Sequence, residues 1–485
     1  MPISALPSKH GIGALGKEAY CFVDFLKGSK QVYWQILPIG PTGYGDSPYQ
    51  SFSAYAGNPY WIDLDLLAAE GMLSVADIKG PGFVENPDFV DYGDLYEKRF
   101  DLLRKAAVQI SPDDKGFSSF CTGNAEWLYE YALFMALKEE HGMRSFHLWP
   151  DTYRIYSEKS HAKTMEKLAG KLHFWKAVQY LFFTQWEKFK AYANGSGVKI
   201  IGDMPIYVSP DSADLWANHN LFQVNAKREM SSVAGCPPDS FDSDGQLWGN
   251  PLYNWGCHKK QGYSWWIKRL KHAGKIFDVV RIDHFRGFLG YYSIPAGSLT
   301  AANGKWRRGP GEDFIASIKK MAPEITIIAE DLGYLTPAVH KLLRFSGFPG
   351  MKVLQFAFDG SKSNVYLPHL YTENCVVYTG THDNPTIREW AKSAPPLEIK
   401  FAKNYLGASS RPVLEDAMIS AAMHCKSNTC IIPVQDWLKL GGEARINTPG
   451  VAEGNWRFRV RKRRLSKALA ERIRHLTEES GRAMT

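Results

Sequence analysis

The chain has 485 residues, of which 45% are hydrophobic and 22% are charged, a composition typical of soluble globular proteins rather than disordered or fibrous ones. This length exceeds one ordinary domain but suits a single barrel with insertions. The formal net charge of +8 is too small by itself to indicate a nucleic-acid-binding protein, and no apolar run reaches the 18 residues expected of a membrane-spanning helix.

The cysteines and the first residues predict a cytoplasmic protein. The seven cysteines are scattered, their number is odd and no CxxC pair occurs, which favours reduced thiols over a disulfide framework. The segment from Met1 to Pro7 lacks the basic start and the long apolar stretch of a secretion signal.

Hydrophobic patterns in the first part of the chain predict two strands followed by a helical region. The first strand is predicted at 32–40, and a loop rich in Gly, Pro, Ser and Tyr follows at 41–58. A second strand is predicted at 60–64. Residues 68–170 show no strand pairs and are predicted to form an inserted helical subdomain, with one helix at 125–140.

Further along, a helix with one broad apolar face is predicted at 172–192, and a third strand at 198–208. Residues 209–275 are rich in Gly, Trp and Asn and are predicted to form a loop-rich subdomain inserted after this third strand. Five further strands, separated by helical patterns, are predicted at 278–285, 325–331, 350–358, 375–383 and 428–434.

Eight strands, mostly separated by helices, predict an α/β fold. The expected architecture is one catalytic domain over 1–485, a parallel (β/α)8 TIM barrel with large helical and loop insertions between its strands. An open doubly wound sheet is the alternative. It would need a Gly-rich phosphate loop after its first strand, and no such loop fits there.

Three carboxylates, Asp283, Glu330 and Asp383, lie near the C-terminal ends of predicted strands. Barrel enzymes keep their chemistry at that end of the strands, so the three side chains are expected to share one pocket. Carboxylates that share a pocket, without a histidine or cysteine cluster for a metal, indicate glycosidic chemistry. The prediction includes no metal and no other cofactor.

Neighbouring strands lie about 4.8 Å apart, close to the roughly 5–5.5 Å between the two carboxyl groups of retaining glycosidases. This favours a covalent glycosyl–enzyme, with Asp283 as nucleophile and Glu330 as general acid/base with a raised pKa. Arg281 faces the same side of the strand and is expected to keep Asp283 ionised. Asp383 and His382 are expected to bind the reacting sugar. Any one acid alone could equally well cap a helix, but three at matching positions favour catalysis.

Six segments make the chain resemble the amylomaltase-type 4-α-glucanotransferases of glycoside hydrolase family 77. They follow the family's order and span almost the whole chain. They are GPTGYGDSPYQ at 40–50, GDMPIYV at 202–208, PPD at 237–239 with GQLWGNP at 245–251, RIDHFRG at 281–287, AEDLG at 329–333 and HDN at 382–384.

This resemblance implies that Asp283 is the nucleophile, Glu330 the acid/base and Asp383 the transition-state stabiliser, in agreement with the roles argued from the residues themselves. It adds ligands of the sugar at the cleavage point and two aromatic walls, so that the predicted substrate-binding set is Tyr49, Asp203, Trp248, Arg281, His382 and Asn384. It also points to Tyr44 as part of a second glucan-binding groove.

The activity implied is transfer of an α-1,4-glucan segment to the 4-hydroxyl of an acceptor glucan or glucose. The expected partners are α-1,4-glucans and maltooligosaccharides, and the protein is expected to be a monomer or weak homo-oligomer. Segments 41–58 and 236–256 are expected to fold over the cleft, exclude water and bind the acceptor.

Three alternatives remain open at this point. An α-amylase-type hydrolase would keep the same three acids, whereas a glucan-binding protein without catalysis would be expected to lack one of them. A nucleic-acid-binding protein rests only on the basic run Arg457–Arg464, which is interpreted as a solvated face of the C-terminal helix. The prediction is therefore no nucleic-acid partner and no membrane partner.

Overall fold

The computed structural model describes residues 1–43, 45–84, 86–156, 164–238 and 244–483. No helix within these ranges is both long enough and apolar enough to cross a membrane. In chain order, the α-helices are Lys17–Gly28, Leu64–Ala69, Val75–Lys79, Tyr92–Val108, Lys115–Gly123, Ala125–Glu140, Asp151–Arg154, Ala169–Gly195, Ala213–Ala217, Trp255–Lys260, Ser264–Ile276, Gly311–Met321, Pro337–Ser346, Ile387–Ser393, Pro396–Leu406, Arg411–His424, Val434–Trp437 and Lys467–Glu479.

The strands form one antiparallel and two parallel sheets. In chain order, β1 to β11 are Tyr33–Gln35, Lys199–Met204, Ser232–Cys236, Gln246–Pro251, Val279–Ile282, Gly290–Pro295, Lys305–Arg308, Ile327–Ala329, Gly350–Val353, Cys375–Tyr378 and Thr429–Ile431. The parallel sheets have the orders β1-β2-β5-β8 and β9-β10-β11, so each parallel strand pairs with the next parallel strand along its sheet.

A backbone hydrogen bond joins the two parallel sheets at one edge. The backbone N–H of Ala329 on β8 donates to the carbonyl of Pro349, just before β9, at 2.9 Å. At the other edge, no ladder joins β11 to β1 in the described part of the chain. There the Tyr378 hydroxyl on β10 donates to Oε1 of Gln35 on β1 at 2.9 Å. The helices and parallel strands confirm the predicted α/β class.

Side chains of the parallel strands alternate between one inner cluster and the outer layers of helices. All seven parallel strands contribute to the inner cluster, which contains Tyr33, Ile201, Val279, Ile328, Met351, Val376, Tyr378 and Ile431. Intervening residues such as Val280 and Val377 belong to the helix-facing clusters. The same alternation places Asp203, Asp283 and Glu330 on the inner side, at the C-terminal ends of β2, β5 and β8.

One predicted strand is wrong. Residues 60–64 contain the end of a 3-10 helix, Pro59–Trp61, and the start of the helix Leu64–Ala69. Asn58 accepts a hydrogen bond from the backbone of Tyr60 at 3.0 Å, and Asp63 caps the following helix. These two caps and the proline outweigh the short apolar pattern. The other seven predicted strands are present and shorter than predicted.

The antiparallel sheet, with order β4-β3-β6-β7, was not predicted. Two of its strands lie in the region 209–275, beside three helices, and the other two follow β5. The aromatic and β-branched run 290–295, with the Gly- and Ser-containing turn after it, is the signal that would have indicated the β6–β7 hairpin. The helices predicted at 125–140 and 172–192 are confirmed.

The prediction that the basic run Arg457–Arg464 forms a solvated face of the C-terminal helix is also wrong. The run precedes the C-terminal helix, Lys467–Glu479, instead of lying on it. Arg459 is 3% exposed and donates to the carbonyls of Asn86 and Ser8 at 2.7 and 2.8 Å. The run therefore includes a buried arginine that ties the C-terminal region to two earlier segments.

We predict that Gly202→Ala destabilises the protein strongly, because an added Cβ would lie 2.2 Å from ring atoms of Phe277, which is buried. The expected loss in the free energy of unfolding is about 3 kcal/mol or more. Gly195→Ala is the control, since an added Cβ at the end of the helix Ala169–Gly195 meets nothing within 4 Å. Urea unfolding of both variants measures the difference, and equal stabilities would contradict the packing argument.

Candidate active site

The pairing of β2 with β5 sets the first contact of the site. Asp203 and Arg281 are register partners in these strands, and both are buried, with exposures of 3% and 4%. Nη1 of Arg281 donates to both carboxylate oxygens of Asp203, at 2.6 and 2.7 Å. It also donates to Oδ1 of Asp283 at 3.1 Å. Arg281 therefore serves two carboxylates, and the shorter bonds go to Asp203.

Glu330 is held by backbone amides. Its position follows the pairing of Ile282 with Ala329 between β5 and β8, which places it beside Asp283. Oε2 accepts from the N–H of His284 at 2.6 Å and Oε1 from the N–H of Leu332 at 2.7 Å. His284 has a left-handed backbone with φ of 52°, which turns the chain directly after Asp283. The two amides fix the orientation of the Glu330 carboxyl group.

The electrostatics of Asp283 differ from the sequence-based expectation. Burial, followed by the charges of Glu330, Asp203 and Asp383, raises the pKa of Asp283 well above its ordinary value, whereas Arg281 lowers it. Arg281 acts in the predicted direction, but it is shared with Asp203. The effect of Arg281 on the pKa of Asp283 is therefore opposed, and outweighed, by burial and the neighbouring carboxylates.

A second group of predicted residues lies around Asp383. Its Oδ1 accepts from Nδ2 of Asn447 at 2.6 Å, and Nε2 of His382 lies 3.4 Å from its Oδ2. The ring of Tyr49 stacks on His382 with a centroid separation of 5.2 Å, and its hydroxyl donates to Asp203 at 2.7 Å. Tyr49 therefore connects the Asp203–Arg281 pair to the loop that carries His382 and Asp383.

Trp248 and Asn384 complete the predicted set. The ring of Trp248, on β4, lies edge-to-face with His284 at a centroid separation of 4.8 Å. Oδ1 of Asn384 accepts from the backbone N–H and the hydroxyl of Thr381 at 2.9 and 2.8 Å. That oxygen stabilises the turn after β10, so Asn384 supports the loop that carries the two neighbouring predicted residues.

Several groups that shape the site were not predicted from the sequence. Asn447 holds Asp383 across 64 residues of chain, and no local pattern marks it. Nε2 of Gln50 lies 3.4 Å from the carbonyl of Trp248, so the loop 41–58 contacts β4. Tyr44 and Asp239 lie outside the described residues. Within the described ranges, no three His, Cys, Asp or Glu side chains are arranged to hold a metal ion.

Comparison with known proteins identifies the family. A family model described as 4-alpha-glucanotransferase, glycoside hydrolase family 77, matches residues 1–465. The chain belongs to the 4-α-glucanotransferase family. It is therefore a glycosyl-transferring enzyme.

Relatives in this 4-α-glucanotransferase family match over their full length. The 4-alpha-glucanotransferase of Clostridium butyricum is 45% identical, with 99% of this chain and 100% of that protein covered. The 4-alpha-glucanotransferase of Thermus thermophilus is also 45% identical, with 99% and 97% covered. Among solved structures, the amylomaltase from Streptococcus agalactiae in complex with acarbose is 40% identical, with a TM-score of 0.96 and 99% and 98% of the two chains covered.

We predict that Arg281→Met destabilises the protein in a pH-dependent way. Without the guanidinium, which lowers the pKa of Asp283, that pKa in the folded protein rises further above about 4, the value for the unfolded chain. The folded state then binds more protons than the unfolded state, so its stability falls as the pH rises through this range. The expected loss is about 3 kcal/mol at pH 7 and less at pH 5.

Urea unfolding at both pH values measures this effect. Arg472→Met is the control, because Arg472 pairs with Asp416 at the surface, where both side chains are 41–52% exposed. A loss of stability in Arg281→Met that is the same at pH 5 and pH 7 would show that the guanidinium does not offset the charge of the cluster.

Proposed function

We propose that this family member cleaves an α-1,4-glucan and transfers the donor segment to the 4-hydroxyl of another glucan or of glucose, with retention at the anomeric carbon. The observation that carries the proposal is the placement of Asp283 and Glu330 at neighbouring strand ends. Asp283 contacts a guanidinium, and two backbone amides orient Glu330. Retaining enzymes need two carboxyl groups about 5–5.5 Å apart, close to the roughly 4.8 Å between adjacent strands.

In the first step, the carboxylate of Asp283 attacks the anomeric carbon, and a covalent bond to this carbon forms. The glycosidic C–O bond breaks as Glu330 donates its proton to the leaving 4-oxygen. Arg281 binds Oδ1 of Asp283, which leaves Oδ2 as the attacking atom. In the second step, the acceptor 4-hydroxyl gives its proton to Glu330 and attacks the same carbon, which releases Asp283.

The charges around the pair suit this exchange of one proton. The charges of Glu330, Asp203 and Asp383 raise the pKa of Asp283 and that of Arg281 lowers it, so more negative than positive charge acts on the proposed nucleophile. In the proposed mechanism, one proton passes between Glu330 and the sugar oxygens. The excess negative charge also stabilises the positive oxocarbenium-like transition state.

We assign the binding of the donor sugar to the residues around Asp383. This carboxylate is anchored by Asn447, yet its side chain is 45% exposed and can reach sugar hydroxyls. His382, Tyr49 and Asp203 form a connected set beside it. The amylomaltase from Streptococcus agalactiae, with a TM-score of 0.96, binds acarbose, which supports an α-glucan as the ligand here.

The proposed architecture is a TIM barrel of the (β/α)8 type spanning 1–485. Its support is the sequential order of the seven parallel strands and their shared inner cluster, although the predicted strand at 60–64 is helical. Residues 68–170 and 209–275 are proposed as the inserted subdomains. The contact of Gln50 with Trp248 supports closure of the segments 41–58 and 236–256 over the cleft, which favours transfer over hydrolysis because water is excluded.

We expect incubation with maltotriose to give glucose and a ladder of longer maltooligosaccharides, separated and measured by chain length. Asp283→Asn should lower this activity about a thousandfold or more, because it removes the nucleophile at almost constant volume. Asp416→Asn, at the surface, is the matched control and should retain full activity. Glucose and maltose alone would indicate a hydrolase, and no reaction would favour a binding protein.

A further inference from the structure

Arg286 is a buried cation whose guanidinium packs against aromatic rings. The residue is 6% exposed, and its Nε has no hydrogen-bonding partner among the described residues. Within the described ranges, no carboxylate forms an ion pair with this guanidinium. Arg269 and Arg459 likewise have an Nε without a hydrogen-bonding partner among the described residues, but their terminal nitrogens donate to the carbonyls of Pro205 at 2.6 Å and Asn86 at 2.7 Å. A buried unpaired charge is costly, which points to a ligand for Arg286.

Two exposed aromatic rings adjoin this guanidinium. Its central carbon lies 3.7 Å from the ring centroid of Trp306 on β7 and 6.0 Å from that of Tyr334. Trp306 is 39% exposed and Tyr334 is 68% exposed. The edge-to-face contact of Tyr292 with Trp306, at 5.2 Å, further fixes the indole. The result is an oriented flat apolar ring beside a guanidinium whose Nε–H has no acceptor among the described residues.

This surface continues from the proposed catalytic groups. Arg286 lies three residues after Asp283 in the segment that contains His284, whose ring contacts Trp248. Tyr334 lies four residues after Glu330, just beyond the amide of Leu332 that binds its carboxyl group. The loops that follow Asp283 and Glu330 therefore carry Arg286 and Tyr334.

The position of Glu330 assigns this surface to the acceptor. A general acid must face the oxygen that joins the donor and acceptor sugars, and the loop after Glu330, which carries Tyr334, is not among the segments assigned to the donor sugar. The donor side is already formed by Tyr49, His382 and Asp383, which contact one another. A glucose unit has an apolar face that stacks on an aromatic ring and hydroxyls that accept from a guanidinium.

We propose that Arg286, Trp306 and Tyr334 form an acceptor subsite that binds a glucose unit of a maltooligosaccharide beyond the unit that contacts Trp248. Trp306 stacks on the apolar face of this sugar, and Arg286 donates to its hydroxyls. This inference rests on the proposed glucan transfer and specifies its acceptor as a chain of several glucose units, in preference to glucose alone.

The test compares two acceptors at a fixed donor concentration. The ratio of kcat/KM for maltotetraose to that for glucose is measured in the wild type, Trp306→Ala and a control. We expect the ratio to fall about tenfold in Trp306→Ala, the effect of losing one well-placed contact. Phe345→Ala is the control. Phe345 is 40% exposed, and the Lys319 ammonium lies 5.6 Å from its ring centroid. Both residues lie on helices outside the antiparallel sheet.

Arg286→Met separates a ligand-binding role from a structural one. Because the guanidinium forms no ion pair with a described residue, and Met can keep an apolar contact with the Trp306 ring, the substitution is expected to leave Tm unchanged or higher while the ratio of kcat/KM falls as in Trp306→Ala. A lower Tm with an unchanged ratio would assign Arg286 to the fold and overturn the subsite. A wild type that transfers to both acceptors, with the ratio unaffected by either variant, would refute the subsite alone. A wild type that transfers to neither would refute the proposed function, and the subsite with it.

Discussion

The buried contact between Arg281 and Asp203 is the interaction on which the rest of the site depends. It joins register partners on β2 and β5, and the same Nη1 continues to Asp283. Breaking such a buried pair typically costs about 3–5 kcal/mol, so the geometry is strongly maintained. The Tyr49 hydroxyl donates to Asp203, and the Tyr49 ring stacks on His382. One guanidinium thus positions the proposed nucleophile and, through Tyr49, the residues proposed to hold the donor sugar.

The period-two alternation of strands explains why this contact forms where it does. Val279, Arg281 and Asp283 occupy successive inward positions, as do Ile328 and Glu330. The apolar members fill the inner cluster, and the polar members lie at the C-terminal strand ends. Backbone amides, rather than side chains, orient Glu330. Its direction is therefore set by the turns after β5 and β8, including the left-handed residue His284.

Sequence patterns could predict the parallel strands and the three acids because both are visible in short stretches of the chain. Buried parallel strands are short apolar runs, and a carboxylate after such a run is visible in the sequence. The segment 60–64 forms no strand, because the capping residues Asn58 and Asp63 outweigh its apolar pattern. The contact of Asn447 with Asp383 could not be predicted, since it joins distant loops.

The net effect of the neighbouring charges on the pKa of Asp283 also could not be predicted from the sequence. Sequence placed Arg281 two residues before Asp283 and predicted an ionised carboxylate. It could not show that Asp203, on another strand, takes the shorter hydrogen bonds of the same guanidinium. It likewise could not place Trp306 against Arg286, because the antiparallel sheet that brings them together was not predicted. Both contacts depend on the pairing of segments far apart in sequence.

The most direct test of the account is to trap the covalent intermediate on Asp283. Glu330→Gln, incubated with an α-maltotriosyl fluoride, should form the glycosyl–enzyme because fluoride leaves without a proton. The intermediate should then persist because no base activates the acceptor. Mass spectrometry of the digested protein is predicted to find one glycosyl adduct, on the peptide at Asp283, and none in Asp283→Asn/Glu330→Gln. An adduct on another carboxylate, or fluoride release without any adduct, would contradict the assignment of Asp283 as nucleophile.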